Sequence, residues 1–144
     1  MDKRVVANEI LLEEAAALMA EGREVTFTPL GASMLPFIRG GKDSVTLRKM
    51  PSVKVGDIAL ARLPGHYVLH RVIEVEGENL TLMGDGNLVG TEQCTQADVL
   101  GTVTIIQKGS RIIHPGNGQF WRSLKPLRRY ILAIYRRLPW NKTV

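Results

Sequence analysis

The sequence predicts a mainly β domain flanked by one helix at each end, from three observations. Short segments of alternating apolar and polar residues recur about every ten residues. Turn residues separate them at Gly40-Gly41, Pro51-Ser52, Pro64-Gly65, Gly77 and Gly84-Asp85-Gly86-Asn87. Helical spacing of apolar residues is confined to the two ends of the chain. Many short strands with such punctuation predict an all-β sandwich or barrel.

The first element is a helix from Val5 to Glu21. Val6, Ile10, Leu11, Ala17 and Leu18 recur at helical spacing, and Gly22 is placed to end it as a left-handed cap. Residues 1–22 are therefore expected to pack on the domain as one amphipathic helix. The period then changes: Val25 and Phe27 alternate with Thr26 and Thr28 until Pro29. Further strands are expected at Ser44–Arg48, Asp57–Arg62, Tyr67–Val75, Asn79–Leu82 and Val99–Ile106, within a β domain spanning residues 23–118. Residues 119–144 form a basic amphipathic segment, with Leu124, Leu127, Ile131, Ile134 and Leu138 at helical spacing and Pro126 tolerated in a first turn.

Composition narrows the function classes. The chain has 144 residues, 44% hydrophobic and 23% charged, which suits one folded domain. No run approaches the roughly 18–20 apolar residues of a membrane-spanning helix. Glu9, Glu13 and Glu14 interrupt the segment where a secretory signal would need an apolar run, so a cytoplasmic protein is expected. The single cysteine, Cys94, allows no internal disulfide and no zinc cluster of its own, and it is read as a small side chain in or near a strand. No cofactor or metal is expected. Residues 119–144 carry a charge of +7 and no acid, leaving −2 on the first 118 residues. With Trp121 and Trp140 flanking it, that segment either lies on an anionic membrane surface, at the inner face, or packs its apolar stripe on protein. Nucleic acid is not an expected partner, because no DNA-reading motif accompanies the local charge.

Three segments hold the candidate chemistry. Ser33 lies in Gly31-Ala32-Ser33-Met34-Leu35-Pro36, just after the first of the alternating strands. The small residues Gly31 and Ala32 let a substrate backbone approach, with N–H groups free to face an oxyanion. Ser33 read alone would equally suit a helix N-cap. His70 lies in Tyr67-Val68-Leu69-His70-Arg71-Val72-Ile73. Alternation places it with Val68 and Val72 on one face, and a lone imidazole on an aliphatic face needs a partner or a task. His66 and His114 merely border turns. Asp85, between glycines, is either a turn residue or the carboxylate that fixes the His70 tautomer.

Together these segments resemble the signal peptidase I superfamily. Its Ser-Met-x-Pro box is matched by Ser33-Met34-Leu35-Pro36 and its Gly-Asp-Ile/Val strand by Val55-Gly56-Asp57-Ile58. Its base-plus-Arg strand is matched by His70-Arg71-Val72-Ile73 and its Gly-Asp turn by Gly84-Asp85-Gly86-Asn87. The likeness spans roughly residues 25–103 and is to the Ser–His type found in the endoplasmic reticulum, without a transmembrane anchor. It implies a β-rich domain of coiled antiparallel sheets, as in signal peptidases and the self-cleaving repressors of the DNA-damage response. It further implies a hydrolase, a serine endopeptidase with Ser33 as nucleophile, His70 as general base and Asp85 in support. Ala32, Ser33, Met34 and Pro36 would line the oxyanion and substrate site, with the Ser33 N–H as donor. Gly31 stands where many bacterial members carry a hydroxyl residue. Self-cleavage of the repressor kind is not expected, since neither Ala-Gly nor Cys-Gly occurs in the chain. A dedicated peptide or protein substrate is expected; the alternative is a non-catalytic domain that binds an extended peptide.

Overall fold

Alternating side chains give this chain strands that can bury one or both faces, and their pairing produces a single large sheet. The computed structural model describes residues 3–5, 9–31, 33–87, 90–116, 127 and 131–134. In chain order the elements are β1 (Lys3–Val5), α1 (Glu9–Ala20), β2 (Val25–Thr28), β3 (Ser44–Arg48), β4 (Ile58–Leu63), β5 (His66–Glu76), β6 (Asn79–Met83), β7 (Glu92–Thr95), β8 (Val99–Lys108) and β9 (Arg111–Ile113), with a 3₁₀ turn at Gln96–Asp98. The order across the sheet is β1-β2-β3-β8-β4-β5-β6-β7, with β9 also paired to β8. Every pairing is antiparallel except β1 on β2.

The mainly β architecture expected from the sequence is thus present, but as one open sheet rather than two stacked sheets or a closed barrel. Register shifts in β3–β8, β4–β8 and β5–β6 bend it, because an extra residue on one strand locally increases twist. β4 shows the consequence. Its Ile58 and Leu60 enter one apolar cluster with Phe27, Val45, Leu47 and Val103, while Ala59, Ala61 and Leu63 enter a second with Val72, Leu80, Leu82 and Cys94. A strand buried on both faces reads as a nearly continuous apolar run, and Ile-Ala-Leu-Ala-Arg-Leu is one.

Two expectations for the N-terminal segment need correction. The helix begins at Glu9, and Lys3–Val5 instead forms an edge strand parallel to β2. Its inward face also differs: Ala15 and Met19 are buried with Leu12 and Leu18 packed beside them, whereas Ala17 is exposed. A helix this rich in Ala and Leu has apolar side chains on several faces, so contact with β8 selects which stripe is buried. Met19 Sδ would meet the first side-chain carbon of any residue replacing Gly101. The C-terminus follows the reading: Gly22 has φ +87°, its N–H donates to the Met19 carbonyl, and the Arg23 N–H donates to Leu18. This is a Schellman cap.

The other strands lie within two residues of their expected limits, whereas β1, β7 and β9 went unread. Each has only three or four residues, and none shows the apolar–polar alternation that marked β2. In the basic segment, residues 131–134 are helical. Leu132 is fully buried there while Leu127 and Ile134 are exposed, so the buried side is not the stripe read from spacing. The remaining stripe positions, apart from the partly buried Ile131, lie outside the described residues, as do Trp121, Pro126 and Trp140. No helix among the described residues is long and apolar enough to cross a membrane.

Candidate functional site

Ser33 sits in a loop whose two ends are fastened together. β2 stops at Pro29, whose ring removes a backbone donor. Gly31 then turns with φ +92°, and the Gly41 N–H returns to the Pro29 carbonyl at 2.8 Å. Gly40 packs so tightly on the Gly31 backbone that a side chain there would overlap it. Asp43 closes the far end. Its carboxylate accepts from the Arg39 N–H at 2.7 Å, from the Arg39 guanidinium at 2.8 Å and from Lys108 Nζ at 2.6 Å. Burial pushes this carboxyl up, but the hydrogen bonds and charges of Arg39 and Lys108 outweigh burial and hold it below its ordinary 3.8.

The middle of the loop is gripped from below by the Gly84-Asp85-Gly86 turn. The Gly86 N–H donates to the Ser33 carbonyl at 2.7 Å, and the Asp85 N–H approaches Met34 Sδ at 3.4 Å. Any side chain at Gly84 would collide with the Ser33 carbonyl oxygen. Leu35-Pro36 is cis, and the Phe37 and Ile38 N–H groups both return to the Met34 carbonyl. Ser33 therefore caps no helix, and its hydroxyl makes no hydrogen bond among the described residues.

Arg71 joins this loop to the rest of the site. Its side chain is only 1% exposed, yet every direction it takes is satisfied. It donates to Asp85 from NH2 and from Nε, and to the carbonyls of Gly56 and Gly116 from NH1, and it lies 5.3 Å from the centre of the Phe37 ring. A buried guanidinium is tolerable only with such pairing. Arg71 thus joins its own motif segment to those of Gly56 and Asp85, and meets Phe37, the residue after the Ser33–Pro36 segment.

His70, the neighbour of Arg71 on β5, points away from that network. It is buried, and its Nδ1 lies 2.6 Å from Glu92 Oε1 on β7. The carboxylate expected on this imidazole was Asp85; the structure places Glu92 there and commits Asp85 to Arg71. β6 ends at Met83, opposite Arg71, so His70 lies one residue beyond its end and reaches across to Glu92. As an acceptor, the Glu92 carboxylate favours the proton on Nδ1 and leaves Nε2 with its lone pair. Glu92 escaped the sequence reading because it lies 22 residues from His70 in an ordinary Thr-Glu-Gln stretch.

Ser33 and His70 line one cavity of about 290 Å³. Gly31 and Met34 also contribute to its wall, Pro36 does not, and Ala32 lies outside the described residues. No hydrogen bond joins the Ser33 hydroxyl to the imidazole in this arrangement. The elements available are a hydroxyl, an imidazole oriented by a carboxylate, and a concave, largely apolar space beside both. No group of three or more His, Cys, Asp or Glu side chains among the described residues could hold a metal ion. Cys94 lies in β7, where burial and then the charges of Asp98 and Glu92 push its thiol up and keep it protonated. No protein-family model matches the chain, and no curated protein matches it.

Proposed function

We propose that this chain is a serine endopeptidase of the signal-peptidase kind, acting through Ser33 and His70 on a peptide or protein substrate. The observation that supports it is the placement of both side chains on one cavity, with His70 held by Glu92. In this reading Ser33 Oγ attacks the scissile carbonyl while His70 Nε2 takes its proton. The tetrahedral oxyanion forms next to the Ser33 N–H. Collapse breaks the C–N bond, and His70 passes the proton to the leaving amine. Water then hydrolyses the acyl-serine by the same route in reverse, restoring both groups. The resemblance to signal peptidases agrees with this, as do the contacts of Arg71 with Gly56 and Asp85 from two of its other motifs. Glu92 replaces Asp85 as the third member, and Asp85 with Arg71 supports the Ser33 loop.

A fluorophosphonate, which esterifies activated serines, tests the reading. Labelling should map to Ser33 and vanish in Ser33→Ala and His70→Ala chains of unchanged thermal stability. Labelling that survives in His70→Ala would remove the imidazole from the mechanism. The missing Ser33–His70 hydrogen bond favours a second reading, a non-catalytic domain that binds an extended peptide. Catalytic hydrogen bonds in resting enzymes are often long and tighten only when a substrate or reagent arrives, so the labelling result discriminates.

We further infer that the basic segment rests on an anionic membrane surface, with Leu127 and Ile134 among its exposed apolar side chains. The full chain should then float with phosphatidylserine vesicles, and a chain ending at Gly118 should not. Equal flotation of the two would exclude this role for the segment.

A further inference from the structure

The chain leaving β9 runs on into the support of the Ser33 loop. β9 ends at Ile113, His114 Nδ1 donates to the Thr104 carbonyl on β8 at 3.3 Å, and the Gly116 carbonyl then accepts from Arg71 Nη1. Nη1 is thereby shared between Gly116 and Gly56, while Nε and Nη2 hold the two oxygens of Asp85. A guanidinium is a planar, rigid fork, so one arm cannot shift without moving the others. The Asp85 side chain therefore follows Arg71. Backbone beside that side chain grips the loop, with the Asp85 N–H at Met34 Sδ and the Gly86 N–H on the Ser33 carbonyl. Arg71 is almost shut off from solvent, so losing the Gly116 carbonyl would leave a charged donor to find another acceptor. His114 and Gly116 are themselves exposed, which puts this acceptor on the least covered part of the network.

We propose that residues 114–116 are a strap that positions the nucleophile: through Arg71 and the Gly84-Asp85-Gly86 turn, the Gly116 carbonyl holds Ser33 in place for attack. The proposal rests on the endopeptidase reading above. Gly116 does not line the cavity of Ser33 and His70, so it is a positioning residue that acts through Arg71. Its carbonyl matters and its missing side chain does not, because a Cβ added there meets nothing within 4 Å. Gly116→Ala should therefore behave as wild type.

An α-hydroxy acid in place of Asn117 in the full chain tests this, because it turns the bond after Gly116 into an ester, whose carbonyl is the weaker acceptor. Well below Tm, the maximal rate of fluorophosphonate labelling at Ser33 should fall about 5-fold, with the half-saturating reagent concentration unchanged. Exchange of the Gly86 amide hydrogen, which reports its hold on the Ser33 carbonyl, should quicken by a similar factor. An ester one bond later, after residue 117, should change neither. A contact that only stabilises the fold would lower Tm and leave the maximal rate alone. An unchanged maximal rate therefore overturns the proposal. So does a slower rate without faster Gly86 exchange, which would exclude the route through the turn. Should the ester chain not fold, Pro115→Gly makes the same test: it loosens the strap, keeps the carbonyl, and should move both readouts about 3-fold. If no fluorophosphonate labels Ser33 in the wild-type chain, the catalytic reading fails, and Gly86 decides the strap separately. Faster Gly86 exchange in the ester then upholds the strap's grip on the loop, and equal exchange overturns it.

Discussion

The imidazole of His70 has two nitrogens, and the use of one defines what the other can do. With Glu92 accepting at Nδ1, Nε2 is the nitrogen left to take a proton, and the ring cannot rotate without losing a 2.6 Å contact. Replacing Glu92 by Gln keeps the shape but lets the amide donate, which favours the wrong tautomer. Fluorophosphonate labelling of Glu92→Gln should fall roughly 10- to 100-fold, less than the full tautomer penalty of a buried triad because Glu92 is 26% exposed. Thermal stability should hardly change. Asp85→Asn should behave in the opposite sense: it weakens a buried pair with Arg71 and lowers stability first. A labelling rate in Glu92→Gln equal to wild type would show that the ring needs no carboxylate.

The loop from Pro29 to Asp43 owes its form to fastenings at its ends and beneath it, not to regular structure. Asp43 is the strongest of them, a fully buried carboxylate that binds Arg39 and reaches Lys108 on β8. Removing one partner of such a buried group costs about 3 kcal/mol, so Asp43→Asn should lose about that much on chemical unfolding at neutral pH. The sign in acid follows from its pKa. The folded value lies below the unfolded 3.8, so the stabilisation is complete above 3.8 and disappears as pH falls through the lower folded value. Wild type should therefore lose stability on titration from pH 5 to pH 2 more steeply than Asp43→Asn. Parallel curves would show that folding does not lower the pKa of Asp43.

Two apolar clusters lie on one bent sheet, and β4 belongs to both. The molecule should consequently unfold in one cooperative step rather than as separable halves. Met19, fully buried between α1 and β8 at Gly101, couples the helix to the first cluster. Met19→Ala should cost about 3 kcal/mol and lower Tm by roughly 10 °C, still as a single transition. Two transitions in calorimetry would show the helix to be energetically separate from the sheet.

What the sequence determined by itself is what neighbouring residues decide among themselves. Alternation over four or more residues located β2, β3, β5, β6 and β8, and Gly22 ended the helix, because side-chain direction and φ are settled within a turn or a strand. The Ser33 and His70 segments stood out for the same reason, each being a contiguous stretch with unusual chemistry. Only the tertiary structure could decide which carboxylate meets the imidazole. Asp85 had the conspicuous glycine-flanked turn, but Arg71 takes it, and Glu92 arrives on a four-residue edge strand from 22 positions away. The same limit hid the buried face of α1, the short edge strands and the open form of the sheet. These depend on contacts between segments far apart in the chain, whose geometry is set by packing and not by local pattern.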